Sequence, residues 1–156
     1  MDERRRIVNV LLDEETLGGS TPTAAHERAA AVFDLLEENL FAPVDGTLGP
    51  FILHLAEREN RLLFDVRDES DQPAFSFSIP AGAFRTIVRD YHIVCDSYYD
   101  AIRSGTPSRI QAIDMGRRGL HNEGADLLRE RMKPYAEIDH DTARRFFTLL
   151  CVLHSR

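Results

Sequence analysis

The chain has 156 residues, 43% of them hydrophobic and 29% charged, with two cysteines and a formal net charge of −7. This balance is typical of an ordinary globular protein and excludes disordered and fibrous classes, and we predict a single domain over residues 1–156. The acidic balance disfavours general nucleic-acid binding, which needs clustered Lys and Arg against the phosphate backbone. The apolar stretch near the N-terminus is far too short for a secretory leader or a membrane span, so we expect a cytoplasmic protein that does not engage the membrane.

The charge is unevenly divided along the chain. Residues 1–80 hold 7 basic and 16 acidic side chains, whereas residues 81–156 hold 12 basic and 10 acidic ones. A local site for an anion or an acidic partner is therefore compatible with the second half of the chain.

The first elements are a strand and a helix. Residues 6–12 are rich in β-branched side chains and end in the polar run 13–15 and Gly18-Gly19, which predicts a strand followed by a turn. Thr21 or Thr23 then caps a helix with Pro22 in its first turn. Its apolar residues recur at helical spacing up to Pro43: Ala25, Ala29, Val32, Phe33, Leu36 and Leu40.

Three strands follow as a meander. Apolar residues alternate over 51–55 and over 62–66, on either side of Glu59-Asn60, and Asn60 tolerates the positive φ that a two-residue primed turn requires. A third alternating run at 75–79 follows a polar turn, so we predict antiparallel strands with one buried face.

The rest of the chain reads as helical. A core helix runs from Pro80 to Gly105, a second begins at Thr106-Pro107 and continues toward Pro134, and Asp139 or Asp141 caps a last, buried helix. The pattern predicts an α+β fold in which a four-stranded, mostly antiparallel sheet (βαβββ) is followed by three or four helices packed on one face.

Three glycines interrupt the helical pattern between Asp114 and Gly124. One interpretation is architectural: Gly119 ends a first helix, and Asn122 caps a second that starts at Glu123. The functional alternative is a pocket for an anion, with ligand-binding candidates Arg117, Arg118, Asn122 and Asp114, and with His121 and Glu123 as the candidate catalytic acid–base pair.

Other chemistry is not supported by residue spacing. The spacing of the histidines and acidic residues does not match a metal set, and Cys95 and Cys151 lie in apolar helical patterns, so we predict reduced thiols, no metal and no cofactor. A polar stripe on the helix after Pro80 is interpreted as solvated surface opposite the core: Arg85, Arg89, His92, Asp96, Tyr99 and Arg103.

Four segments of the chain, in order, resemble an uncharacterised protein family of alphaproteobacteria. They are FDLLEEN at 33–39, CDSYYDAIR at 95–103, AIDMGRRGLHNEG at 112–124 and FTLLCVLH at 147–154. The resemblance covers nearly the whole chain and implies a bacterial cytosolic setting, but it carries no activity to transfer.

Two functions from different classes follow. The leading hypothesis is a non-catalytic binding or regulatory module whose Arg-rich helical face engages an acidic protein or a small anion. The alternative is a small enzyme for a phosphorylated or carboxylated metabolite, in which Arg117 and Arg118 bind the anion and His121 with Glu123 transfers protons. A purely structural oligomer, such as a homodimer, is a further alternative.

Overall fold

The computed structural model describes residues 3–17 and 21–154, so the predicted Gly18-Gly19 turn lies outside the described residues. The first strand, β1 (Ile7–Leu12), leads through a short helix α1 (Glu14–Leu17) into helix α2 (Pro22–Glu37). Because α2 forms the crossover, the chain returns to pair the next long strand in parallel with β1.

The predicted meander is confirmed. Strands β3 (Phe51–Arg58), β4 (Arg61–Arg67) and β5 (Pro73–Pro80) pair antiparallel, and the sheet order is β1-β3-β4-β5. The two residues between β3 and β4 have φ values of 52° at Glu59 and 60° at Asn60, as a primed turn requires. The four-stranded, mostly antiparallel sheet of the sequence analysis is therefore correct.

One face of this sheet is buried under helices α2 and α5 (His140–Leu153). The Phe146 ring of α5 meets Phe64 of β4 edge to face at 6.4 Å between centroids. The inward-facing residues of the strands alternate with half-exposed neighbours, which confirms the single buried face: Phe51, Leu53, Leu55, Leu62, Phe64, Val66, Phe77 and Ile79.

The buried face of α2 differs from the prediction. Ala31 and Leu35 are buried, whereas Phe33, predicted to face the core, is 65% exposed. Buried Asn39, just beyond the helix, accepts a hydrogen bond from Ile7 N and donates to the carbonyls of Ile7 and Leu35. These bonds fix α2 against β1 and turn Phe33 to solvent.

Helices α3 (Gly82–Ser104) and α4 (Pro107–Met132) form an antiparallel hairpin. Thr106 caps α4 as predicted, accepting a bond from Arg109 N, and Pro107 occupies its first turn. The prediction that Gly119 ends one helix and Asn122 caps another is wrong, because α4 runs unbroken through both positions.

A two-stranded ribbon follows the end of the hairpin at which α4 ends. Strands β2 (Ala42–Pro43) and β6 (Ala136–Glu137) pair antiparallel, joining the segment after α2 to the segment after α4. Each contains only two residues, which is too short to leave an alternating pattern in the sequence.

Candidate functional site

The outer part of the α3–α4 hairpin, residues 93–120, is here called the helical arm. Ala101 is the only buried residue of this segment, and α3 packs mainly on α4. Tyr99 is 63% exposed and Ile102 51% exposed, so the apolar pattern of α3 predicts a core position for Ile102 that the structure does not bear out. The arm therefore presents apolar and aromatic surface to solvent.

The glycines of α4 differ in what surrounds them. A Cβ on Gly124 would collide with the Phe147 ring of α5, so only glycine lets these two helices approach this closely. A Cβ on Gly116 or Gly119 would meet no atom within 4 Å. Each of these two glycines costs the helix about 1 kcal/mol relative to alanine, without a packing reason inside the chain.

Asp114 and the two arginines form one cluster on the arm. Arg117 Nη2 lies 2.5 Å from Asp114 Oδ1, and Arg118 Nε lies 3.0 Å from Asp114 Oδ2. The Arg117 hydrogen bond lowers the pKa of Asp114, and the same bond raises the pKa of Arg117. Two guanidinium groups share one carboxylate, so the cluster carries a net positive charge.

An aromatic ring extends this cluster onto α3. The guanidinium carbon of Arg117 lies 4.9 Å from the centroid of the Tyr98 ring, which is a cation–π distance. Arg118 is the outermost member, with 70% of its side chain exposed. The spacing of Asp114 to Arg117 and Arg118 is typical of ion pairs on one helix face, so the sequence could indicate these two pairs. Tyr98 lies on the other helix of the hairpin, and the sequence analysis did not identify it as a site residue.

His121 points into the protein between α3, α4 and α5. Its Nε2 lies 2.9 Å from Thr148 Oγ1, and that hydroxyl donates to the carbonyl of Arg144. The hydroxyl proton is thereby committed, so the imidazole donates through Nε2–H. Its Nδ1 is buried without a hydrogen-bond partner among the described residues, and because a buried N–H without a partner is costly, this position favours the neutral imidazole. Burial, with smaller effects from Arg144 and Arg117, lowers the pKa of His121 to about 4.

Asn122 and Glu123 have different surroundings from His121. The side-chain carbonyl of Asn122 accepts a hydrogen bond from Arg144. Glu123 is exposed and lines a cleft of about 470 Å³ together with Ile87 and Leu127. The structure thus brings Asp114, Arg117 and Arg118 together, and it joins neither His121 nor Glu123 to them.

Burial keeps two neighbouring nucleophilic groups, Cys151 and Tyr91, protonated at neutral pH. Burial raises the pKa of the Cys151 thiol to about 12, and burial also raises the pKa of the Tyr91 hydroxyl to about 12. Both cysteines are free thiols. His92, predicted on the solvated stripe, is instead half-buried and bonds to the carbonyl of Cys151, because α5 packs against this part of α3.

A second charged cluster lies at the junction of the hairpin and the sheet. Glu57 Oε1 is 2.9 Å from His154 Nε2, and Glu57 Oε2 is 2.6 Å from Arg85 Nη2. Glu57 is thereby fixed by the end of α5 and by the start of α3. The three residues are far apart in sequence, so no local pattern could predict the cluster.

Two findings on metal ligands and membrane-spanning helices concern residues 3–17 and 21–154. Within these ranges no three His, Cys, Asp or Glu side chains are arranged to hold a metal ion. None of the helices described there combines the length and the apolar character that crossing a bilayer requires.

Comparison with known proteins identifies the family. The model of the uncharacterised protein family UPF0262 matches residues 4–156, and the chain belongs to this family. A UPF0262 protein of Nitrobacter hamburgensis is 53% identical over 153 residues, which cover 98% of this chain and 93% of the relative. One from Bradyrhizobium sp. strain ORS 278 is 54% identical over 155 residues, covering 98% and 92%.

A third relative, from Rhodopseudomonas palustris strain TIE-1, is 53% identical over 153 residues, covering 98% of this chain and 94% of its own length. The resemblance to an alphaproteobacterial family seen in the sequence is therefore confirmed. No solved structure gives a significant match.

Proposed function

We propose that this protein is a non-catalytic binding module that engages an acidic protein in the bacterial cytoplasm. The contact surface is the Arg face of the helical arm, defined by five residues: Tyr98, Tyr99, Ile102, Arg117 and Arg118. The free thiols of Cys95 and Cys151 are consistent with a reducing compartment such as the cytoplasm.

The observation that carries the proposal is the exposed aromatic and apolar surface beside a cationic cluster. Tyr99 and Ile102 are each more than half exposed, and Tyr98 links Tyr99 to Arg117 through ring contacts. Tyr and Arg are enriched at the centres of protein interfaces, where large rigid side chains are buried with little loss of rotamer entropy.

Charge supports an acidic partner. The pairing of two arginines with one carboxylate leaves one positive charge, which lies outermost at Arg118. The first half of this chain is strongly acidic, so long-range attraction of an acidic partner would be directed to the helical half.

A protein fits this surface better than a small anion. The Asp114 carboxylate is already paired with the guanidinium groups of Arg117 and Arg118. A small anion would have to compete with this carboxylate at short range. An acidic protein surface can pair with Arg118 and cover the tyrosines without displacing Asp114.

Acid–base catalysis has less support from the geometry. The enzyme alternative requires His121 to exchange protons near neutral pH with Glu123 beside it. His121 is buried, with its pKa lowered to about 4, and Glu123 is exposed on another face of the helix.

The test compares proteins recovered from native cell extract by three tagged versions of the chain. These are the wild type, Arg117→Ala/Arg118→Ala, and the matched control Arg58→Ala/Arg61→Ala, which removes the same charge from exposed positions on the β3–β4 hairpin. We expect wild type and control to recover an acidic protein that the arm variant loses.

The recovered protein is then purified and titrated against the same three chains. We expect its binding to be at least tenfold weaker for the arm variant and to fall with added salt. Identical recovery by all three chains, or binding that ignores both the substitution and the salt, would refute the proposal.

A further inference from the structure

The outer face of α4 is a second exposed surface, distinct from the Arg face. Its members recur at spacings of three and four residues, so they lie along one side of the helix. They are Arg109, Ala112, Met115, Gly116, Gly119, Glu123 and Asp126, all exposed.

This face has features that the isolated chain does not explain. Met115 is 67% exposed, the largest exposure among the exposed large hydrophobic residues of the described chain. Gly116 and Gly119 flatten the helix surface at its middle, where a Cβ would touch nothing within the chain. Gly124, by contrast, is accounted for by Phe147.

The charges on this face are complementary to those of a second copy of it. Arg109 lies seven residues before Gly116, and Asp126 lies seven residues after Gly119. If two α4 helices cross antiparallel with Gly116 of each over Gly119 of the other, each Arg109 falls opposite the partner's Asp126. The same register sets Ala112 opposite the partner's Glu123.

This arrangement needs space near the C-terminal end of α4 for the α3–α4 loop of the second copy, and a cleft lies there. The antiparallel register brings the partner's α3–α4 loop alongside Glu130, toward the C-terminal end of α4. There a cleft of about 590 Å³ lies between α4 and the β2–β6 ribbon, lined by Val44, Asp126, Glu130 and Ile138. Asp126 itself is 69% exposed, 3.8 Å from His140, and so remains accessible to Arg109 of a second copy.

We propose that two copies of this chain associate through the outer face of α4, antiparallel, with the helices crossing at Gly116 and Gly119. Small residues at the crossing allow close backbone approach, and the two Arg109–Asp126 pairs fix the register. A two-fold interface of this kind uses the same patch on both copies. It leaves the Arg face of each copy free, so the inference does not depend on the proposed function.

The first test is sedimentation velocity of the full chain over a wide concentration range. We expect a monomer–dimer equilibrium for the wild type and monomers for Gly116→Leu/Gly119→Leu. Because leucine is a good helix former and its Cβ meets nothing here, helix content by circular dichroism should be retained. A wild type that stays monomeric throughout, or a leucine variant that dimerises like it, would overturn the proposal.

The second test is a charge swap that fixes the register without changing the glycines. Arg109→Glu and Asp126→Arg should each weaken dimerisation at least tenfold, because each places like charges opposite one another. The double variant Arg109→Glu/Asp126→Arg should restore it. A double variant as weak as the single ones would contradict the antiparallel register. Arg117→Ala/Arg118→Ala should leave sedimentation unchanged, which separates this surface from the Arg face.

Discussion

Acidification should destabilise the protein through His121 in particular. The pKa of this imidazole is about 4 in the folded chain and about 6.5 for an exposed histidine. Between these values the unfolded chain binds the proton and the folded chain does not. Stability is therefore fully present above about pH 6.5 and is lost as the pH falls toward 4.

The size of the loss follows from the two pKa values. The linkage between proton binding and unfolding gives a loss in the free energy of unfolding of about 2 kcal/mol at pH 5 and about 3 kcal/mol at pH 4 for this one group. Asp114 and Asp71 also lose their favourable charge pairs on acidification, because their pKa values are lowered in the folded chain. The His121 contribution must therefore be measured as a difference from a variant.

The variant is His121→Gln, whose amide nitrogen can still donate to Thr148 but does not titrate. Urea unfolding at pH 7 and pH 5 gives the free energy of unfolding of each chain, with the slope as a check on two-state behaviour. We expect wild type to lose about 2 kcal/mol more than the variant. Equal losses would refute the neutral, buried assignment and would reopen a proton-transfer role for His121.

Three further substitutions test, in turn, a close helix contact, a buried hydrogen bond and a charged cluster. Gly124→Ala should lower the free energy of unfolding by about 1–3 kcal/mol, because the added methyl collides with Phe147; thermal melts of Gly82→Ala, where the nearest atom would lie at 3.4 Å, provide the control. Asn39→Ala should cost about 3 kcal/mol in urea unfolding, since it leaves the backbone N–H of Ile7 buried without a partner; no loss would contradict the hydrogen-bonding scheme. Glu57→Gln should cost about 1–2 kcal/mol by weakening charge-assisted bonds, and exposed Glu14→Gln should cost nothing measurable.

The sheet and most helices were predictable because their signals are local. Alternation defines the strands, Asn60 marks the primed turn, and Thr21 and Asp139 cap their helices as their side-chain chemistry requires. The βαβββ order then constrains the topology, and the parallel β1–β3 pairing follows from the crossover helix.

The errors arise where tertiary contacts override local preference. The local pattern favours a helix end at Gly119, yet α4 continues because it packs against α3 and α5. Phe33 faces solvent because Asn39 fixes the rotation of α2. Nothing in the spacing of His121 shows that it would be buried beside Thr148, which follows it by 27 residues.

The most direct measurement of the binding proposal is site-specific photo-crosslinking in living cells. A photoreactive phenylalanine analogue replaces Tyr99 on the Arg face, and in a control chain it replaces Phe33, which is equally exposed on α2. We predict that the Tyr99 position crosslinks one discrete acidic protein and that Arg117→Ala/Arg118→Ala abolishes this product. No product at Tyr99, or the same product from Phe33, would contradict the account.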